Sequence, residues 1–153
     1  MKSEQLVTHI RNTLNTKRKK TLPLNIKAVL LFGSAARGRK THTSDIDLLD
    51  IADGINPKRH RRGMEIASIK HFFPELSLDI LLLTEGEVLS NFRNHNPLFL
   101  DIAEDGVIIL DYEDFLQQLI AETRDYIKRR GIKRFGEGWI FPVEKGTPGT
   151  FFM

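Results

Sequence analysis

The chain contains no cysteine, so it forms no disulfide and offers no thiolate to a metal ion. No apolar stretch approaches the roughly 18 residues of a membrane-spanning helix. Ala28 to Phe32 and Ile80 to Leu83 have only the length of a strand, which predicts a protein that does not enter a membrane. The opening segment, MKSEQLVTHIRN, lacks the uninterrupted apolar core of a secretory signal. With the missing cysteines, this predicts a cytoplasmic protein. Internal repeats and low-complexity tracts are absent too, which argues against a solenoid or a disordered linker.

What is present is ordinary in bulk and uneven in detail. The 153 residues, 41% hydrophobic and 28% charged, suit one soluble domain with a single core. The net charge is +3, and the basic residues gather at Lys17 to Lys20, Lys58 to Arg62 and Lys128 to Arg134. Such clusters are usually solvated faces and helix ends; their functional alternative is attraction of phosphate or nucleic acid.

Leu6, Ile10 and Leu14 recur at helical spacing and predict an amphipathic first helix, broken by Pro23. Ala28 to Phe32, Asp45 to Ile51, Leu76 to Leu83 and Val107 to Leu110 read as strands. Asn56-Pro57 predicts a helix start whose first turn holds Lys58, Arg59, Arg61 and Arg62, the wrong sign for that end of the dipole. Thr84 to Glu87 forms a capping box, Asn96-Pro97 opens the next helix, and Tyr112 to Arg130 is a long helix ended by Gly131. The expected fold is α/β (α+β), a mixed sheet of about four strands with packed helices. Residues 1–130 form this domain. Residues 131–153, rich in glycine and proline and carrying Phe135, Trp139 and Phe141, are expected to be an irregular aromatic tail that covers its own domain or anchors a partner.

The chemistry concentrates in LFGSAARGRKTHTSDIDLL, Leu31 to Leu49. Asp45 and Asp47 are two apart on a predicted strand and share a face, where two ionised carboxylates repel unless something neutralises them. Such hard oxygen donors suit Mg²⁺ or Mn²⁺. Asp79, mid-strand in SLDILLL, is the candidate third acid, costly to bury without a partner. Gly33 allows close backbone approach and Ser34 adds an N–H and a hydroxyl, a combination able to grip phosphate. Alone, a DxD pair is usually a solvated strand end and a Gly-Ser pair a turn. Jointly, the parts describe a metal-bound triphosphate site.

Gly33-Ser34, ten intervening residues and Asp45-Ile46-Asp47 resemble the signature of the DNA polymerase β-like nucleotidyltransferase superfamily. The phrasing FGSAARGRKTHTSDIDLL is similar to its minimal nucleotidyltransferase branch, and the resemblance covers roughly Ala28 to Leu110. It implies the nucleotidyltransferase fold, two Mg²⁺ ions held by Asp45 and Asp47, and Asp79 completing the catalytic metal site. It also implies that Gly33 and Ser34 hold the β- and γ-phosphates of a nucleoside triphosphate such as ATP. A hydroxyl would attack the α-phosphorus in line as pyrophosphate leaves. Arg37 and Ser44 match further nucleotide-binding positions of the family. His42, in the same loop, could approach phosphate but reads as a surface residue, and His9, His60, His71 and His95 show no ligand spacing.

Only 43 residues follow Leu110, too few for a separate acceptor-binding domain, so the acceptor is expected on another macromolecule. Members of the minimal branch form toxin–antitoxin pairs with HEPN-domain ribonucleases and transfer AMP to a toxin tyrosine, which makes a HEPN toxin the leading expected partner. Alternatives are an RNA-directed transferase acting on tRNA, a small-molecule transferase completed by a homo-oligomer, and a non-catalytic antitoxin that occludes its partner. The intact set of three acids argues against the last.

Overall fold

A computed structural model of the chain describes residues 2–17, 24–41, 43–142 and 150–152. The predicted helix break at Pro23, the basic residues Arg18 to Lys20 and His42 lie outside them. Among the described residues the central element is a four-stranded sheet of β1 (Asn25–Phe32), β2 (Ile46–Asp53), β3 (Leu78–Leu83) and β4 (Val107–Asp111). Its order is β3-β2-β1-β4, with β2 and β3 parallel and the other pairs antiparallel. This is the mixed α/β architecture expected.

Side chains alternate across a strand, so each strand feeds two apolar layers. Val29, Leu31, Leu48, Ala52, Ile80 and Leu82 pack with Leu6, Ile10 and Leu14 of α1 (Ser3–Lys17) and Ile69 of α3 (Gly63–Lys70). Leu30, Leu49, Ile51 and Leu83 pack on the opposite side. They meet α4 (Glu85–Arg93), α5 (Pro97–Asp105) and α6 (Phe115–Arg129) through Val88, Phe92, Phe99, Ile102, Leu116 and Ile120. A short α2, Gly33–Ala36, leaves the end of β1. The layers are helix, sheet, helix, with the strand ends of β1, β2 and β3 left open at one edge of the core.

Several local signals hold to the residue. Thr84 Oγ1 accepts from Glu87 N and Glu87 Oε1 from Thr84 N, a complete capping box. Asn96 caps α5 with Pro97 in its first turn. Leu116, Leu119, Ile120, Thr123 and Ile127 form the buried face of α6.

Two expectations are corrected. The helix predicted from Asn56-Pro57 starts at Gly63 instead, after a 3-10 turn over Arg59–Arg61. Asn56 Oδ1 spends itself on Lys58 N, and Arg62 folds back to bond the Asn56 and Leu82 carbonyls and Glu87 Oε1 at 2.7 Å. Arg62 is only 1% exposed. Its charge thus meets an acid and carbonyl oxygens, while Lys58, Arg59 and Arg61 stay in solvent ahead of the helix.

The second correction concerns the tail. Lys133–Phe135, Gly138–Phe141 and Thr150–Phe152 are strands β5, β6 and β7 of a second, antiparallel sheet. Tertiary contacts supply the order that the glycine- and proline-rich sequence hid. Trp139 is 2% exposed among Leu100, Ile127 and Ile132, and its indole N–H donates to Asp101 Oδ1. Trp139 therefore covers the protein's own surface, whereas Phe135 stands 67% exposed.

Candidate active site

The site forms where the end of β1 meets the beginnings of β2 and β3. In the parallel register of those two strands, Asp47 lies directly opposite Asp79. Asp45, immediately before β2, accepts a 2.5 Å hydrogen bond at Oδ1 from Ser77 Oγ, immediately before β3. The result is two rows, Asp45 beside Ser77 and Asp47 beside Asp79, with the two acids of β2 and its lead-in on one face. Asp79 is exposed rather than buried, because that face opens to solvent at this end of the sheet. The cost of burial expected for it does not arise.

Phe32 pairs with Asp47 across β1 and β2, which brings Gly33 against the Asp47 carboxylate. A β-carbon built on Gly33 would stand 2.1 Å from Asp47 Oδ2, and Gly33 adopts φ +71°. No other residue fits there without moving the acid or straining the backbone. Burial holds the Asp47 carboxyl above the usual carboxylate range. The charges of Asp79 and Asp45 and a hydrogen bond with Asp79 push it further up, and the Arg37 guanidinium pulls it back.

No side chain caps the first turn of α2, and Ser34 lies in that turn. Arg37 ends α2 with its Nη1 3.7 Å from Asp105 Oδ2 on α5. Ser44 is placed differently from the other candidates. Its hydroxyl bonds the Thr41 hydroxyl at 2.8 Å and accepts from Thr41 N, closing the turn that leads into Asp45.

Asp45 and Asp79 thus stand near Asp47, Gly33 lies against its carboxylate and Arg37 acts on its charge, while Ser34 follows Gly33 in α2 and Ser44 closes the turn before Asp45. Sequence reasoning missed Ser77 and Asp105. Ser77 was legible in principle, two residues before Asp79 and so on its face; Asp105 arrives by tertiary packing alone.

A family model described as polymerase beta, nucleotidyltransferase matches residues 9–114. The chain belongs to that nucleotidyltransferase family. A relative from Methanocaldococcus jannaschii named as a protein adenylyltransferase, MJ1305, is 30% identical over 128 residues, covering 82% of this chain and 86% of its own. Two solved structures are similar at lower identity. One, a toxin–antitoxin with AMP-PNP, is 17% identical, covers 78% of this chain and 87% of its own, and has a TM-score of 0.44. The other contains tri-AMPylated Shewanella oneidensis HEPN toxin with MNT antitoxin; it is 13% identical, covers 80% and 87%, and has a TM-score of 0.41.

For a nucleotidyltransferase, the chemistry of these donors is coherent. Three carboxylates are hard oxygen ligands of the kind Mg²⁺ takes. Among the described residues no group of three His, Cys, Asp or Glu is already drawn together around a single point. The acids form a row along a strand edge, with a glycine backbone and an arginine beside it.

Proposed function

We propose that this nucleotidyltransferase transfers a nucleoside monophosphate, AMP from ATP, to a hydroxyl of a partner macromolecule, and that the acceptor is a tyrosine of a HEPN-domain toxin which it silences. The observation that carries this reading is the register of Asp47 against Asp79 with Gly33 pressed on Asp47. Mutually repelling acids at an open strand edge, held beside a turn that admits only glycine, have no packing role.

In this reading Asp45 and Asp47 hold two Mg²⁺ ions (Mn²⁺ would also suit) and Asp79 completes the catalytic set. Bound metal would lower the acceptor hydroxyl's pKa and stabilise the attacking and leaving oxygens. Gly33 and Ser34 at the start of α2 hold the β- and γ-phosphates, and Arg37 adds a cation to that end of the triphosphate. Ser77 fixes the Asp45 carboxylate through its short hydrogen bond. The Asp45–Asp47 face being open leaves room for an incoming tyrosine.

A protein acceptor is supported by the family resemblance of the motif and by the relative named as a protein adenylyltransferase.

The test is to incubate the protein with each α-labelled nucleoside triphosphate, Mg²⁺, a cognate HEPN protein and bulk tRNA. Label from ATP should appear on the HEPN protein and disappear when its tyrosine is changed to phenylalanine. Labelled tRNA with an unlabelled protein partner would overturn the acceptor assignment.

A further inference from the structure

The C-terminal sheet reaches the nucleotide loop through a chain of charges. Arg134 of β5 forks onto two carboxylates one turn apart on α5. Its Nη2 is 3.0 Å from Asp101 Oδ1 and its Nη1 2.9 Å from Asp105 Oδ2. The guanidinium also lies over the Trp139 ring, 4.9 Å from the centroid. Asp101 Oδ1 takes the Trp139 indole N–H as well, so Arg134 is fixed by a buried aromatic and two acids. The same Asp105 oxygen faces Arg37 Nη1 at the longer distance of 3.7 Å.

One oxygen therefore serves two guanidinium groups unequally. A carboxylate facing a single arginine frequently closes on it bidentately and then competes with a phosphate for it. Here Arg134 occupies Asp105, and Arg37 is oriented by the remaining charge without being captured. An arginine already oriented by a neighbouring carboxylate loses less side-chain freedom when phosphate takes it than an unrestrained one.

We infer that Arg134 is a positioning residue for nucleotide binding: by occupying Asp105 it keeps Arg37 available to the triphosphate, which makes the C-terminal sheet part of the nucleotide site. The inference rests on the nucleotide reading above and adds to it a segment outside the family-matched residues 9–114.

The experiment measures calorimetric binding of a non-hydrolysable ATP analogue with Mg²⁺ to the full chain, with thermal melting as the control for folding. Arg134→Ala frees Asp105 to capture Arg37 and should weaken binding about fivefold, the ratio set by one surface ion pair. Adding Asp105→Asn to that variant removes the competitor and should recover most of the loss. Arg134→Lys keeps a charge on Asp105 and should bind nearly as wild type, which keeps the test decisive if the alanine variant melts early. A merely structural role predicts a double variant weaker than Arg134→Ala, and that result would overturn the inference, as would equal binding by wild type and Arg134→Ala. Absence of binding by wild type is a different failure: it would overturn the nucleotide reading and this inference with it.

Discussion

Asp47 and Asp79 face each other across the parallel pair β2 and β3, and Gly33 closes on Asp47 from the start of α2. Burial, and then repulsion from Asp79 and Asp45, raise the folded-state pKa of Asp47. The acid is therefore a burden on the metal-free fold at neutral pH, relieved as pH falls through that raised value. Asp47→Asn should melt above wild type in EDTA. It should also lose most of the stabilisation that Mg²⁺-ATP gives wild type, about 2.7 kcal/mol at a hundredfold excess over Kd. Asp114→Asn, on an exposed residue at the start of α6, should change neither quantity. Identical melting and identical gains for Asp47→Asn and wild type would separate the acids from any shared site.

Gly33→Ala tests the close approach. A left-handed backbone costs alanine about 1–2 kcal/mol, and the new methyl must also displace the Asp47 carboxylate. Circular dichroism should show a folded but less stable chain, and the same protein should no longer bind ATP. A variant that bound ATP as wild type does would remove Gly33 from the site.

Asp50 lies on the other face of β2, 1% exposed, with neither carboxylate oxygen hydrogen-bonded among the described residues. Burial pushes its carboxyl up to about 7. The folded state thus favours the protonated form. The contribution of this group to stability is greatest near pH 4 and falls as pH rises towards 7, by about 4 kcal/mol across that window. Asp50→Asn cannot ionise, so its denaturation midpoint should decline less between pH 5 and pH 7 than that of wild type, leaving the smaller decline owed to Asp47. A parallel decline in both would assign the pH dependence to other groups.

The sequence disclosed those parts whose signals are local. Thr84 and Glu87 satisfy each other within one turn, and Asp45 and Asp47 share a face by strand periodicity alone. The family signature from Gly33 to Asp47 marked the site because its spacing is a property of the chain. What escaped depends on residues meeting from afar. Arg62 leaves the helix expected at Asn56-Pro57 because it finds Leu82 and Glu87, about 20 and 25 positions away. The last strands form because Trp139 and Arg134 find α5. Asp79 was expected mid-strand and buried, and only the sheet's edge reveals that its side is open.

Arg62 supports a further measurement. Its guanidinium is buried against Glu87 and main-chain carbonyls. Arg62→Met leaves the Asn56 and Leu82 carbonyls without this donor and Glu87 Oε1 with the Thr84 N–H alone, and should cost about 2 kcal/mol in urea unfolding. Arg59→Met, exposed nearby, should cost less than about 0.5 kcal/mol. Equal small losses would mean that the buried pair does not hold the β2–α3 connection.

In the proposed reading this carboxylate row catalyses nucleotidyl transfer. The most direct measurement supplies ATP labelled at the α-phosphate in one reaction and at the γ-phosphate in another, with Mg²⁺ and the HEPN partner, and compares wild type with Asp47→Asn. The expected result is α-label on the partner, γ-label released only as pyrophosphate, and no α-label with Asp47→Asn. Transfer of the γ-label, or undiminished α-transfer by Asp47→Asn, would contradict it.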